Sequence, residues 1–214
     1  KLLRSYKISG GEKYKFFKDV LDRSTLKNRN FLIQDDRFIE AKKVIYCKPF
    51  TLNRILYVKL LDLLDIPKPD YKSKKRIFLT RSKASGRYLE NFEEIQEICD
   101  DYDFKIIDTE NISLDRQIQI FNKTRSIIGL HGAGLVNIIF RGGANLSLLE
   151  IFPPNIISYH YYYLSKILGY NYDAIIASDR NNRNISTYYK EPFLLNPQEL
   201  KEKIIELKNS GFFI

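Results

Sequence analysis

His131-Gly132-Ala133-Gly134-Leu135, with Asn137 and Phe140 just after, puts a titratable ring, two residues lacking Cβ and a side-chain amide in one short segment. An imidazole can donate, accept or transfer a proton near neutral pH. Gly132 and Gly134 let backbone approach a ligand without Cβ interference, and a helix starting there would offer unpaired N–H groups and a positive dipole end to phosphate. Arg81 and Arg87 bracket the loop Ser82-Lys83-Ala84-Ser85-Gly86. Two guanidiniums at that spacing can hold a diphosphate by charge-assisted, bidentate hydrogen bonds. Glu150 lies within the apolar run Leu148-Leu149-Glu150-Ile151, and a carboxylate at a strand end can accept from ribose hydroxyls. These types together describe a nucleoside-diphosphate pocket. Arg81, Arg87, Gly132, Ala133, Gly134 and Asn137 are the candidate phosphate contacts, Glu150 the candidate ribose ligand, and His131 a candidate ligand contact at the strand end. The competing readings are a turn whose glycines serve packing, a solvated basic loop, and an acid facing water.

A pocket of this kind needs strands that end at one edge. From residue 72 onward strand and helix patterns alternate: strands at 76–80, 104–107, 126–130, 146–151 and 172–176, helices at 88–98, from the cap Ser113 onward, and from Ser158 to Leu168. Ser126-Ile127-Ile128-Gly129-Leu130 is apolar throughout, as expected of a parallel strand covered on both faces. A last helix is punctuated by Asn196 at N-cap, Pro197 at N1, Glu199 at N3 and Gly211 beyond its end. The expectation is a doubly wound α/β domain over 67–214, with ligands at the strands' carboxyl ends. Residues 1–66 read differently: a helix at 14–21, β-like stretches at 31–33 and 38–46, a helix at 51–64, then the boundary Pro67-Lys68-Pro69. They suggest the remnant of a second α/β domain and a connecting helix.

Composition narrows the class. With 214 residues, 44% of them hydrophobic, the chain can bury one good core or a domain plus part of another. The net charge of +9 implies anionic partners, with Lys72, Lys74, Lys75, Arg76, Arg81, Lys83 and Arg87 clustered. Nucleic acid, a phosphorylated small molecule and an anionic membrane surface would each satisfy that charge. No aromatic-interleaved RNA motif or zinc-finger spacing supports the first. No run is long enough for a membrane span, and the first residues lack a secretory hydrophobic region. The complete lack of methionine reads as a fragment or a processed chain. Cys47 and Cys99 are too few for a disulfide framework and suggest buried thiols in a reducing compartment. Sequons at Asn111, Asn122, Asn145 and Asn184 keep a lumenal alternative open.

The order of these motifs resembles glycosyltransferase family 61. The resemblance rests on Arg81 with Arg87 and Asn91, Gln117 before Phe121, and His131-Gly132-Ala133-Gly134-Leu135 with Asn137 and Phe140. It continues through Leu149-Glu150-Ile151 and Tyr161-Tyr162-Tyr163-Leu164 to Leu168-Gly169-Tyr170. Departures are Phe92 after Asn91 and Arg116 before Gln117, where the family usually has glutamate, and Val136 where threonine is common. The resemblance implies a GT-B-type, inverting, metal-independent transferase with no cofactor. It would move a sugar from a nucleotide-diphosphate donor, UDP by preference, to a glycan or lipid-linked glycan, as in capsular polysaccharide synthesis. His131 would be catalytic, with Asn91 and Gln117 supporting. Two decoys are set aside. Asp101-Tyr102-Asp103 has the metal-binding Asp-X-Asp form but falls between a helix and a strand, away from the ligand edge. Gly132-Ala133-Gly134 begins a dinucleotide fingerprint that Asn137 breaks. The expected partners exclude nucleic acid, with membrane-peripheral contact left open. The expected location is cytoplasmic, the alternative being the endoplasmic reticulum or Golgi lumen. A non-catalytic sugar-nucleotide module and an α/β nucleic-acid-binding protein are the competing functions.

Overall fold

A computed structural model describes residues 4–6, 15–28, 31–33, 53–83, 87–154, 157–177 and 192–213. The chain divides into two compact units, Lys1–Ile66 and Pro67–Ile214. In the first, β1 (Arg4–Tyr6) pairs in parallel with β2 (Phe31–Ile33). Nothing in Arg-Ser-Tyr marks β1 as a strand, because three residues carry too little alternation to read. The helices α1 (Lys15–Arg23) and α2 (Arg54–Leu63) complete the described part. Asn53 caps α2, its side chain accepting from the Ile55 N–H at 2.8 Å. Arg23 Nε donates to the Leu64 carbonyl at 2.9 Å, tying α1 to the end of α2. The β-like stretch expected at 38–46 and Cys47 lie outside the described residues.

The second unit is a five-stranded parallel sheet in the order β4-β3-β5-β6-β7. Its strands are β3 (Lys75–Leu79), β4 (Lys105–Ile107), β5 (Thr124–Leu130), β6 (Ser147–Phe152) and β7 (Asn171–Ile176). Helices α3 (Phe92–Asp101), α4 (Leu114–Lys123), α5 (His160–Leu168) and α6 (Pro197–Asn209) join or flank them. Numbered within the unit, the order is 2-1-3-4-5, the doubly wound order whose direction reverses between β3 and β5. Helices α3 and α6 pack together, whereas α4 and α5 pack against the segment after β5. The central strands are buried on both faces: every residue of β6, and all of β5 but Arg125. Phe78, Ile128, Leu149 and Ile151 anchor the core beneath α3 and α6. Among the described residues, no helix is long and apolar enough to cross a membrane.

Local signals are honoured at the ends. The Ser113 side chain caps α4 through the Arg116 N–H, Asn196 caps α6 through the Gln198 and Glu199 N–H groups, and Gly211 adopts φ +74 past its end. Helix α3 starts at Phe92 rather than 88, because the preceding chain is used otherwise. Leu89 bridges to Phe193, and the Asn91 side chain donates to the Leu195 carbonyl and accepts from its N–H. The short helix expected after the glycines is a 3-10 helix, Ala133–Arg141, closed by Gly142 in the left-handed region. Cys99 is fully buried, and burial pushes its thiol up to about 12.

Arg141 ends that 3-10 helix and is 1% exposed. Its guanidinium donates to the carbonyls of Asp70 (2.9 Å), Asn122 (2.5 Å) and Asn145 (3.2 Å). Asn122, itself buried, donates to the carbonyls of Pro67 and Phe140, which leaves its sequon no accessible amide. The pair pins the start of the unit, 67–70, to the end of α4. Arg141→Met should lower unfolding free energy by about 3 kcal/mol, since buried carbonyls would lose charged donors. Urea denaturation checks it; a loss under 1 kcal/mol, on the order of an ordinary surface change, would show that the clamp is dispensable.

Candidate active site

The cleft at the carboxyl edge of the sheet is built by the loops after β3, β4 and β5. Thr80, Arg81 and Ser82 come from the first, Asp108, Thr109 and Glu110 from the second, and Leu130 with Gly132, Ala133 and Gly134 from the third. Its cavity volume is about 190 Å³ and it is open to solvent. This is the place where the strand order reverses, where connections leaving in opposite directions open a crevice.

Arg81 lies half-buried with its Nη1 donating to the His131 carbonyl at 3.3 Å. Burial first, then the like charge of Arg87, lower its pKa, while Glu110 and Asp108 oppose that shift. The Ser82 hydroxyl donates to the Glu110 carboxylate, linking the β3 and β4 loops. Two neighbouring guanidiniums, one partly desolvated, are relieved by a bound anion. The backbone amides of Gly132, Ala133 and Gly134 carry no hydrogen bond among the described residues, and all three residues line the same cleft.

The glycines are required for a reason that the sequence did not disclose. Gly132 is extended at φ 164, open to any residue, but a Cβ there would lie 2.0 Å from Arg81 Nη1. The guanidinium occupies the space of the missing side chain. At Gly134 a Cβ would meet Thr109 Oγ1 at 3.0 Å and Leu79 at 3.3 Å. The helix expected after the glycines starts at Ala133 in the 3-10 form, its first turn closed by the Leu135 N–H donating to the Gly132 carbonyl at 3.0 Å.

His131 leaves the end of β5, its N–H donating to the Ile151 carbonyl at 2.8 Å. Its ring stacks on Phe152 at 5.0 Å and meets the edge of Tyr161 at 5.8 Å. Nδ1 lies 2.6 Å from Glu150 Oε1, and the Tyr172 hydroxyl donates to Glu150 Oε2 at 2.6 Å. Glu150 is 0% exposed. Its expected ribose role does not fit this arrangement, because both oxygens are engaged inside the domain and neither reaches solvent. Burial, then the bond to Glu150, raises the Tyr172 pKa, and burial pushes Tyr161 up to about 12. Both phenols stay donors, Tyr161 to the Gly132 carbonyl at 2.7 Å.

Asn137 also departs from its expected phosphate role. It is buried, and its amide donates to Gln117 Oε1 at 2.7 Å. Gln117 in turn donates to the carbonyls of Thr109 (3.3 Å) and Ile112 (2.8 Å), so the pair fixes the β4 loop from behind. Asn91 supports the α6 side through Leu195, and 84–86, inside the loop between Arg81 and Arg87, lie outside the described residues. Asp108, Glu110 and Tyr172 escaped the sequence reading. The acids follow a strand end, which was a usable signal, but Tyr172 meets Glu150 only through β6–β7 pairing. Among the described residues no group of three or more His, Cys, Asp or Glu side chains is placed to hold a metal ion, Asp101 and Asp103 included.

The family model described as Glycosyltransferase 61 matches residues 14–148, more than half of the chain. The chain belongs to glycosyltransferase family 61. It is accordingly a transferase that takes a donor sugar and passes it to an acceptor. No curated protein matches it. The match covers Arg81, Gln117 and the His131–Phe140 segment of this glycosyltransferase and stops before Glu150 and Tyr172.

Gly132→Ala should displace Arg81 while sparing the fold, because the clash is with the far end of a flexible side chain. If UDP is the donor nucleotide, as proposed below, its affinity should fall roughly tenfold, the loss of one charged hydrogen-bonding partner. Gly129→Ala is the contrast: its Cβ would lie 2.6 Å from Leu135 Cδ2 in the core and should cost about 1–3 kcal/mol of stability. Calorimetry with UDP and thermal denaturation separate the two; a Gly132→Ala protein that binds like the parent would remove Arg81 from the donor site.

Proposed function

We propose that this glycosyltransferase uses a nucleoside-diphosphate sugar, UDP-linked by preference, and inverts the anomeric centre without a metal ion. The observation that carries the reading is one cleft, at the reversal of strand order, that combines Arg81 with the amides of Gly132, Ala133 and Gly134. An acceptor hydroxyl attacks the anomeric carbon as its bond to the diphosphate oxygen breaks, and the electron pair leaves with the diphosphate. The developing negative charge needs donors already in place, which Arg81, Arg87 and the loop amides supply. Asp108 and Glu110 are the carboxylates lining the cleft, and they take the ribose role first expected of Glu150. His131, at the same strand edge, acts on the reacting groups.

Residues 67–214 then form the nucleotide-binding half of a GT-B arrangement, and 1–66 belong to its acceptor-side half. A glycan or lipid-linked glycan of a surface or capsular polysaccharide is the acceptor class. Work at the cytoplasmic membrane face, through the basic residues Lys72, Lys74 and Lys75, suits such an acceptor.

UDP should raise the melting temperature in buffer containing a chelator, and the gain should shrink as salt is raised. A differential scanning panel of nucleoside diphosphates with and without EDTA reads both. Stabilisation that appears only with manganese or magnesium would defeat the metal-free mechanism, and none with any nucleotide would defeat the donor assignment.

A further inference from the structure

His131 could serve this site as either of two tautomers, and the residues behind the ring choose between them. Glu150 presents Oε1 to Nδ1 at 2.6 Å, and Tyr172 donates to Oε2 from the opposite side. Tyr172 donates a hydrogen bond to one oxygen, and a carboxylate offers only acceptors, so with Glu150 as carboxylate the hydrogen between Glu150 and His131 belongs to Nδ1. Burial of Glu150 removes water as a competing partner, and Phe152 and Tyr161 fix the ring plane. Nε2 makes no hydrogen bond among the described residues, and a tenth of the side chain is exposed.

We propose that Glu150 and Tyr172 are positioning residues that hold His131 as its Nδ1–H tautomer, leaving the Nε2 lone pair as the atom offered to the reacting groups. The proposal rests on the reading of His131 as the acting residue of the transferase. In this form Nε2 can take the proton of an attacking hydroxyl, which the Nε2–H tautomer cannot do. A neutral replacement of Glu150 should reverse the tautomer. Glutamine would satisfy the Tyr172 hydroxyl with its oxygen and turn its NH2 toward Nδ1, which then must be unprotonated. An amide in place of the carboxylate behind a catalytic histidine has that effect in serine proteases.

The chain contains two histidines, so a His160→Gln background leaves His131 as the lone imidazole. Long-range proton–nitrogen NMR of the intact chain at neutral to mildly basic pH then reads its tautomer without any ligand. The expected results are Nδ1–H in the parent, Nδ1–H in Tyr172→Phe, and Nε2–H in Glu150→Gln. Nε2–H in the parent, or an unchanged tautomer in a folded Glu150→Gln protein, overturns the proposal. The parent spectrum decides even if the variants fail to fold. Calorimetry with UDP runs alongside: Glu150→Gln should bind UDP as the parent does, whereas a ribose ligand would lose roughly tenfold or more. A tenfold loss returns Glu150 to the ribose and overturns its positioning role. If the parent itself does not bind UDP, the donor assignment fails while the tautomer result stands separately.

Discussion

Strand β3 pairs on one side with β4 and on the other with β5, and that double pairing governs the rest of the domain. Crossovers between parallel strands are right-handed, so helices reached from the two sides lie on opposite faces of the sheet. Their loops diverge at the carboxyl edge and leave a crevice above β3. Arg81 from β3, Asp108 and Glu110 from beyond β4, and the glycines after β5 meet there although 27 to 53 residues separate Arg81 from the others. The short loop Thr80–Ser82 can supply a cation because the Thr80 N–H is fixed to the Ile107 carbonyl at 2.9 Å.

The charges in this crevice are arranged at some expense to the free protein. Arg81 is partly desolvated beside a second guanidinium, and the acids of the β4 loop, together with Tyr161, oppose that repulsion. A site of this kind is unfavourable when empty and improves when an anion enters. The opposite sign of charge lies behind β6, where buried Glu150 is spent on one imidazole and one phenol. Gly129 and Glu150 are register partners, and past the strand ends His131 touches both zones, its ring on Glu150 and its carbonyl on Arg81.

Rigidity behind the loops comes from amides and one arginine rather than from ion pairs. Asn137, Gln117 and the Thr109 and Ile112 carbonyls form a chain of hydrogen bonds from the 3-10 helix to the β4 loop. Arg141 gathers three carbonyls in the core, a geometry that a planar five-donor group can satisfy and a lysine cannot. Such networks orient the cleft residues without touching a ligand, so their loss shows as misplacement as well as instability.

The alternation of apolar runs, the caps at Ser113 and Asn196 and the covered strand at 126–130 were sufficient to announce an α/β domain and its ligand edge. These are local features, set by period and by hydrogen bonding within a few residues. The same is true of the family's motifs from Arg81 to Phe140, which the matched segment 14–148 contains. Roles within the site were not local. Glu150 and Asn137 read as ligand contacts because their types and positions permit it, yet burial and cross-strand neighbours assign them to His131 and Gln117. Gly132 looked like room for phosphate, and the guanidinium of Arg81, 51 residues earlier, fills that room. The sequence by itself determined the elements and the edge where they present chemistry. Which side chains face that edge was decided by the packing of parallel strands, because register and burial arise only between segments that lie far apart in the chain.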